Sequence, residues 1–331
     1  MTASAPPTNP CEQALAQWCE RWWPEAGRAP QSPARVAVAY SAGADSTALL
    51  LAAHRRWPGR VTALHVHHGL QAAADAFEDH AHGFCARHGI ALQVSRVQAA
   101  NSPGESPEAA ARDKRYTTLA TMAQHLAADG VLLGQHADDQ AETVLLALSR
   151  GSGLPGLAGM PERFERHGVV FGRPLLAVPA ADLRGWLRAA NQPFVDDPTN
   201  TDLRFTRNRI RALLMPAWDA CFPGFRPMLA RSARHAAQAQ TLLDDLARLD
   251  LADTGEPPAV AVLQALSRER QANALRHWLR ACHGVAASAA QLDELLNQVA
   301  DCRTRGHRIH LKVSSGFVVR SGDRLSYTPP I

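Results

Sequence analysis

The sequence predicts an α/β fold, a parallel twisted sheet with helices on both faces, followed by a smaller, mostly helical C-terminal domain with a short β-hairpin. Two observations predict this architecture. Short β-branched runs alternate with longer amphipathic stretches between residues 35 and 175, which is typical of a parallel sheet covered on both faces. Prolines and a glycine then cluster at residues 216 to 227, where we expect the domain boundary.

The individual elements follow from the same patterns. Strands are predicted at residues 35–40, 60–66, 91–97, 131–133 and 169–171. Helices are predicted at residues 45–57, 73–88, 107–127 and 138–149. Beyond the boundary, residues 228–251 and 260–300 have amphipathic helical patterns, and residues 307–313, 317–320 and 325–327 predict a small hairpin or meander. Ligands of such parallel sheets bind at the carboxyl ends of the strands.

Length and composition indicate a globular protein of two domains. The chain has 331 residues, 46% hydrophobic and 20% charged. We expect an N-terminal tail and first helix at residues 1–30, a main domain at 31–216 and a C-terminal domain at 225–331. The sequence shows neither a membrane-spanning run nor a signal peptide, so we expect a cytoplasmic protein without a membrane partner.

Six scattered cysteines without a C-x-x-C pair are typical of reduced thiols and disfavour a zinc or iron–sulfur site.

Positive charge is concentrated in the C-terminal part of the chain. Residues 201–331 carry 18 Lys and Arg against 12 Asp and Glu, whereas residues 1–200 carry a net charge of −2. In the predicted strand 307–313, apolar residues alternate with Arg308, His310 and Lys312, which therefore share one face. A polyanion such as RNA would suit this asymmetry, and a solvated arginine-rich surface is the alternative.

A loop of small residues joins the first predicted strand to the helix that follows. It runs Ser41-Ala42-Gly43-Ala44-Asp45-Ser46 and lacks the Gly-Lys-Ser/Thr of a Walker loop. The first N–H groups of a helix have no intrahelical acceptor, and together with the helix dipole they form a site for phosphate. Asp45 is close enough to hold Mg²⁺ on that phosphate. We expect Ala42 to keep a negative φ, because a methyl group is unfavourable in left-handed backbone.

Histidines and arginines mark two further segments. His65, His67 and His68 end the second strand, but alternate residues of a strand face opposite sides, so the backbone there is expected to line a nucleotide pocket rather than bind a metal. Arg112 and Arg115 share a face of the predicted helix 107–127. Two guanidinium groups so placed can clamp phosphates or an RNA backbone, and a solvated helix face is the alternative.

A cluster of carboxylates follows the fourth predicted strand, in the sequence His136-Ala137-Asp138-Asp139-Gln140-Ala141-Glu142. Asp138 is expected to cap the next helix. Asp139 and Glu142 lie on one face near the start of that helix, where they would either complement the dipole or receive a cationic amine or Mg²⁺. Their position at the carboxyl end of a strand favours a functional role.

Two polar segments precede the domain boundary. Arg150 begins a glycine-rich loop that is a candidate lid, RNA contact or simple connection. Residues 196–200 and the cluster of Arg207, Asn208 and Arg211 are expected either to anchor the two domains or to form an active-site wall contacting phosphates.

Taken together, these motifs resemble the tRNA(Ile)-lysidine synthetase family of ATP pyrophosphatases over residues 35–211, with weaker similarity beyond residue 228. Ala42 stands where the family has glycine, and Gln71 where it usually has arginine. The matching segments are the 41–46 loop, His65-x-x-His68-Gly69-Leu70, Arg112-x-x-Arg115-Tyr116, His136-x-x-Asp139-Gln140-x-Glu142-Thr143, Arg150-Gly151-Ser152-Gly153, Arg173-Pro174-Leu175, Asp197-x-Thr199-Asn200 and Arg207-Asn208-x-Ile210-Arg211.

The resemblance implies an adenine nucleotide alpha hydrolase-like fold and a ligase that uses ATP and Mg²⁺. It implies adenylation of the wobble cytidine of a CAU-anticodon tRNA(Ile), after which free L-lysine displaces AMP. It implies catalytic roles for Asp45, Asp139 and Glu142, with Asp45 holding the metal. Nucleotide-binding residues would be Ser41, Ala42, Gly43, Ala44, Asp45, Ser46, His65, Arg112 and His136. Residues contacting tRNA would be Arg115, Arg150, Arg207, Asn208 and Arg211.

Two alternatives remain open from the sequence. A 2-thiolation enzyme would share the ATP loop but needs sulfur-handling cysteines, and Cys85 and Cys221 lack such a context. A non-catalytic nucleotide sensor would leave Asp139, Glu142 and the basic C-terminal part without a role. The C-terminal domain is expected to bind tRNA, a homodimer is a further expectation, and the additional C-terminal domain of longer family members is not expected here.

Overall fold

A computed structural model describes residues 8–23, 35–67, 73–97, 107–304 and 306–329. Side chains are described within these ranges except those of residues 73–74, 107–110 and 198. The chain divides into two compact units, Met1–Arg234 and His235–Ile331. The division falls inside one long helix, Phe225–Thr254, eight or more residues beyond the boundary region that the proline cluster suggests.

The first unit contains a mixed sheet, which in the described part of the chain has the order β3-β2-β1-β4-β6-β5. Its strands are β1 (Val36–Ala39), β2 (Val61–His67), β3 (Ala91–Arg96), β4 (Val131–Leu132), β5 (Arg163–Arg166) and β6 (Val169–Gly172). All neighbouring pairs are parallel except β5 with β6. The prediction of a parallel sheet is therefore confirmed for the strands around β1, and the antiparallel edge strand β5 was not predicted.

Helices cover the sheet, and the four predicted between residues 45 and 149 end within two residues of their predicted bounds. Those of the first unit are α1 (Pro10–Trp22), α2 (Ala44–Arg56), α3 (Ala73–His88), α4 (Pro107–His125), α5 (Ala137–Ser149), α6 (Leu154–Leu157), α7 (Ala180–Ala189), α8 (Thr206–Arg209) and α9 (Met215–Cys221). A 3-10 turn, Pro198–Thr201, and a π-helical segment, Ile210–Leu214, flank α8. In the described residues, no helix is both long enough and apolar enough to cross a bilayer.

Two apolar layers hold the sheet of the first unit. One packs α1, α2 and α7 on one face of the strands, with Leu49, Leu50 and Leu183 fully buried. The other packs α4 on the opposite face, with Tyr116 and Phe171 buried beside it. Helices on both faces explain why the central strands consist of nearly continuous apolar residues.

The second unit is mostly helical and ends in a small antiparallel sheet. Its helices are the remainder of α10 (Phe225–Thr254), then α11 (Val260–Gln264), α12 (Arg268–His283) and α13 (Ala289–Ala300). Strands β7 (His310–Val313), β8 (Gly316–Ser321) and β9 (Arg324–Thr328) form the predicted meander. Ile309 and Val313 are buried, whereas Arg308, His310 and Lys312 are exposed, so the predicted alternation is confirmed.

Candidate active site

The loop between β1 and α2 forms the floor of the site. Gly43 is the N-cap of α2 and supplies no side-chain cap, so the first N–H groups of the helix have no acceptor from that residue. The Ser46 hydroxyl donates to the Gly43 carbonyl at 3.0 Å and accepts the Ser41 N–H at 3.2 Å. Thr47 also donates to the Gly43 carbonyl, at 2.8 Å. The hydroxyl groups thus hold the loop closed behind a helix terminus suited to phosphate.

Ala42 departs from its predicted conformation. Its φ is +66°, in the left-handed region, where we expected a negative value. The tight turn accounts for the difference, because the Ala42 carbonyl faces back to accept the Val195 N–H at 2.9 Å while the methyl group is fully buried. An L-residue in this region costs about 1–2 kcal/mol, a cost that the surrounding packing must offset.

Asp45, in the first turn of α2, lies beside His136, which begins α5. The His136 Nε2 atom is 3.4 Å from Asp45 Oδ2 and 3.5 Å from Asp139 Oδ2. One buried imidazole thus connects the phosphate loop to the acidic helix. Asp45 and His136 are 91 residues apart in the chain, so no local sequence pattern could predict this contact. Asp45 Oδ1 is buried and, among the described residues, has no hydrogen-bond partner.

The protonation of His136 is set by the carboxylates around it. Burial lowers the pKa of His136, but the hydrogen bond to Asp45 and the charges of Asp139 and Asp138 outweigh burial and raise it to about 9. An imidazolium cannot accept the Asp139 N–H at Nδ1, a contact of 3.4 Å in the structure. Three carboxylates lie within 4 Å of the ring, so their combined charge favours the imidazolium over the single contact at Nδ1.

Gly134, just after β4, makes the close approach of α2 possible. A β-carbon at this position would lie 3.1 Å from the Ser46 backbone nitrogen and 3.2 Å from the Asp45 carbonyl carbon. The motifs described from the sequence did not assign a role to Gly134. A glycine just after a buried strand is the sequence feature that could have indicated this close approach, because a glycine in or near a strand often marks a place where another backbone comes close.

Asp139 and Glu142 lie on one face of α5, as predicted, and face two arginines. Glu142 is fully buried; its Oε1 accepts the Arg211 Nε–H at 2.8 Å, and its Oε2 lies 3.8 Å from Arg207 Nη1. Arg211 also lies 3.6 Å from Asp139. Burial raises the pKa of the Glu142 carboxyl, although Arg211 opposes that shift. Glu142 Oε2 has no hydrogen-bond partner among the described residues.

Asp138 has a different role from the one predicted. The N-cap of α5 is His136, whose backbone N–H donates to Asp139 Oδ2 at 3.1 Å, so Asp138 does not cap its own helix. Its Oδ2 instead accepts the Ala180 N–H at the start of α7, at 2.9 Å, and its Oδ1 accepts the Arg226 Nε–H at 2.6 Å. Burial raises the pKa of Asp138, but these two donors outweigh it and lower the pKa below its ordinary value.

A cationic cluster surrounds the buried Tyr116 of α4. Arg173 is 3% exposed and donates to the Tyr116 hydroxyl at 3.0 Å, while burial lowers its pKa. Arg112 and Arg115 lie over the Tyr116 ring, 5.3 Å and 6.0 Å from its centroid. Burial lowers the pKa of Arg115, and Arg207 and Asp139 are among the charges that influence it, so this cluster adjoins the acids. Arg112 is exposed, as a phosphate clamp requires.

The remaining predicted site residues differ in how exposed they are and in what they contact. His65 is buried at the end of β2, with Nδ1 2.8 Å from the Tyr40 carbonyl, so its imidazole supports the entry to the phosphate loop. Asn208 is buried, and its Nδ2 donates to the Thr199 and Asp202 carbonyls, so this amide is not available to tRNA here. Arg150 is exposed at the end of α5.

Some residues of the predicted motifs lie outside the described ranges. Among the described residues, Asp45 is the candidate for holding Mg²⁺. His68 and Gln71 are not described. Within the described ranges, no group of three or more His, Cys, Asp and Glu could hold a metal ion. Mg²⁺ in nucleotide enzymes usually needs only one or two carboxylates plus substrate phosphates. The buried, unpartnered Asp45 Oδ1 fits that requirement.

These features define an ATP-using enzyme of the PP-loop class. They are a parallel sheet, a phosphate-binding loop after its central strand, and acidic residues at the end of the adjacent strand. The PP-loop domain model matches residues 11–218, and the TilS substrate binding domain model matches residues 259–326. The chain belongs to the tRNA(Ile)-lysidine synthase family.

The relatives support this membership over most of the chain. A tRNA(Ile)-lysidine synthase of Polaromonas naphthalenivorans is 61% identical, over 88% of this chain and 89% of the relative. One of Burkholderia pseudomallei is 45% identical over 81% of this chain, which spans 56% of that longer protein. A solved structure of a U34-tRNA thiolase from Methanococcus maripaludis superposes with a TM-score of 0.55 at 16% identity, over 68% of this chain and 80% of that one. At that identity the likeness concerns the fold alone.

Proposed function

We propose that this enzyme uses ATP to ligate L-lysine to C2 of the wobble cytidine of a CAU-anticodon tRNA(Ile), through an adenylated tRNA, with release of AMP and pyrophosphate. The observation that carries the proposal is the His136 imidazole, whose Nε2 lies within 3.5 Å of both Asp45 and Asp139. On this proposal the imidazole joins the phosphate-binding loop to the carboxylates that would receive the amine. Activation by ATP replaces a poor leaving group with AMP and so divides one difficult step into two.

The phosphate loop would hold the departing pyrophosphate. The free N–H groups at the start of α2 would donate to its oxygens, and Arg112 would add a second clamp. Asp45 would hold Mg²⁺ through its buried Oδ1, and the metal would supply charge neutralisation as pyrophosphate leaves. The tight closure by Ser41 and Ser46 keeps these donors fixed before substrate arrives.

The acidic helix would receive the lysine ε-ammonium. Asp139 is partly exposed, and Glu142 Oε2 accepts no hydrogen bond among the described residues although Arg207 Nη1 lies 3.8 Å away, so both carboxylates would have acceptor capacity for the ammonium. Only the neutral amine can attack, so a carboxylate must take up a proton first. Glu142 suits that task because burial raises the pKa of its carboxyl above the ordinary value, which favours taking up a proton.

The basic surface of the C-terminal unit would bind tRNA. Arg308, His310 and Lys312 lie on the exposed face of the meander, away from Ile309 and Val313. Arginine and lysine on one face suit phosphate contacts. Arg115, Arg150, Arg207 and Arg211 remain predicted tRNA contacts; the last two hold Glu142 in the structure. Cytoplasmic location and a homodimer also stay predictions.

The test is the reaction itself. Purified enzyme is incubated with ATP, Mg²⁺, radiolabelled lysine and a CAU-anticodon tRNA(Ile), and label in the tRNA is counted. We expect label to depend on ATP and on the cytidine, and to be absent from a tRNA with a UAU anticodon. Unlabelled tRNA alongside normal ATP binding would refute the proposal in favour of a nucleotide sensor.

The thiolation alternative has a separate test. Cys85 is buried, and burial raises the pKa of its thiol to about 11, which opposes a nucleophilic role at neutral pH. Cys221 is exposed at the end of α9. We expect Cys85→Ser and Cys221→Ser to keep turnover. Loss of turnover with retained nucleotide binding in either variant would favour sulfur transfer.

A further inference from the structure

An exposed aromatic side chain lies two residues before Arg207, which contacts Glu142, and has no role in the chemistry described so far. Phe205 is 53% exposed and is the N-cap of α8. Leu203, two residues earlier, is 47% exposed. Large apolar side chains displayed to solvent next to a reaction centre are typical of a surface that another molecule covers.

The loop that carries Phe205 is held in shape from within. Asn208 Nδ2 donates to the Thr199 and Asp202 carbonyls, both at 2.8 Å. Arg209 Nη1 donates to the Leu203 and Arg204 carbonyls at 3.0 Å and 3.1 Å. These bonds fix the backbone on both sides of Phe205. The ring is therefore presented by a preorganised loop, which lowers the entropic cost of binding.

Phe205 lies close to the reacting groups along the chain. Arg207 reaches into the acid site, 3.4 Å from the Thr143 hydroxyl and 3.8 Å from Glu142 Oε2. Two residues span at most about 7 Å of extended chain, so the Phe205 backbone lies within that distance of the Arg207 backbone, whose side chain extends to the acids. The exposed Phe205 ring therefore belongs to the segment that leads to Arg207 and the acids, and we call this segment the rim.

The chemistry of the rim suits single-stranded RNA. An aromatic face stacks on nucleobases, and neighbouring guanidinium groups bind the phosphates that join them. Arg204, next to Phe205 in sequence, is 87% exposed and supplies such a guanidinium, which pairs with Asp202 in the structure and would have to exchange that partner for a phosphate. The reacting cytidine must enter the site itself, so the rim position fits the base next to it.

We propose that Phe205 is a stacking platform for the nucleobase that adjoins the reacting cytidine, and that it holds the anticodon loop open while the cytidine enters the site. This inference rests on the proposed function, since it assumes that tRNA is the substrate. In a CAU anticodon the base on the 3′ side of the cytidine is adenine, whose purine ring stacks strongly. Phe205 is thus a positioning residue for the substrate.

The test places 2-aminopurine at the central anticodon position of the full tRNA and uses the full-length enzyme. We expect binding to wild-type enzyme to change 2-aminopurine fluorescence, and Phe205→Leu to abolish that change. Loss of one stacked base should weaken tRNA binding about 5- to 150-fold. KM for tRNA should rise while KM for ATP stays constant. Phe205→Trp should restore both the signal and the affinity.

Phe222→Leu is the matched control, because Phe222 is 62% exposed in the same unit and its ring lies 6.1 Å from that of Trp218. We expect it to leave tRNA affinity and fluorescence unchanged. Wild-type affinity and fluorescence in Phe205→Leu would overturn the inference while leaving lysine incorporation by wild-type enzyme intact. Dissociation of an enzyme dimer by Phe205→Leu, with unchanged tRNA binding, would overturn it in favour of a second copy of the chain. A wild-type enzyme that labels no tRNA would instead refute the proposed function.

Discussion

Replacing Gly134 with alanine should weaken both the fold and the phosphate site, because this position lies against the first turn of α2. The new β-carbon would lie 3.1 Å from the Ser46 nitrogen, 3.2 Å from the Asp45 carbonyl carbon and 3.3 Å from the Ser46 α-carbon. Ordinary carbon contacts need about 3.5–4.0 Å. The atoms in the way belong to the backbone, so no side-chain rotation can relieve the contact.

The magnitude follows from two opposing effects. Overpacking of this kind costs about 1–3 kcal/mol. Alanine restricts the unfolded chain more than glycine does, which returns about 0.4–1 kcal/mol. We therefore expect the free energy of unfolding to fall by about 1–2 kcal/mol and Tm to fall by about 2–8 °C. Displacement of the first turn should also weaken ATP binding, because the phosphate donors move with it.

Gly185→Ala supplies the control. Gly185 lies inside α7, and a β-carbon there would meet no atom within 4 Å. Replacement should raise the free energy of unfolding by about 0.5–1 kcal/mol. Denaturant unfolding gives both free energies, and calorimetric titration with ATP and Mg²⁺ gives the affinity. If Gly134→Ala unfolds like the wild type and binds ATP equally well, the reasoning about this contact is wrong.

Three further predictions concern the acids and the RNA surface. Asp45→Ala and Asp139→Ala should each abolish lysine incorporation while leaving the unfolding transition in place; near-normal activity in either would mean that the wrong carboxylates were chosen. Asp138 has a folded-state pKa below its unfolded value, so it stabilises the fold above the unfolded pKa and loses that contribution as pH falls through the folded pKa. Denaturant unfolding across acidic pH should therefore show a steeper loss of stability in wild type than in Asp138→Asn, and parallel curves would contradict this. Affinity for tRNA should fall steeply with salt, because phosphate contacts release counterions, and a flat response in filter binding would reject the basic surface as the tRNA contact.

Periodicity predicted most of the sheet and its helices, because buried strands and amphipathic helices leave strong local patterns. Strand β5, Arg163–Arg166, was missed because its sequence Arg-Phe-Glu-Arg is mostly charged. An edge strand needs little apolar character on its outer side, so the sheet and not the local sequence determines its conformation.

The composition of the site was predictable, but its internal pairing was not. The spacing of Asp139 and Glu142 correctly indicated one helix face. The bond from Arg211 to Glu142 joins residues 69 apart, and no local pattern encodes such a contact. The N-cap of α5 was assigned to Asp138 on propensity, whereas the tertiary contacts with Ala180 and Arg226 determine what that carboxylate does.

The backbone at Ala42 restricts which amino acids the loop can accept. Its φ of +66° disfavours β-branched and bulky residues, and the complete burial of its methyl group leaves no room for a longer side chain. Glycine and alanine satisfy both conditions, so a saturation library at this codon should return those two residues and few others.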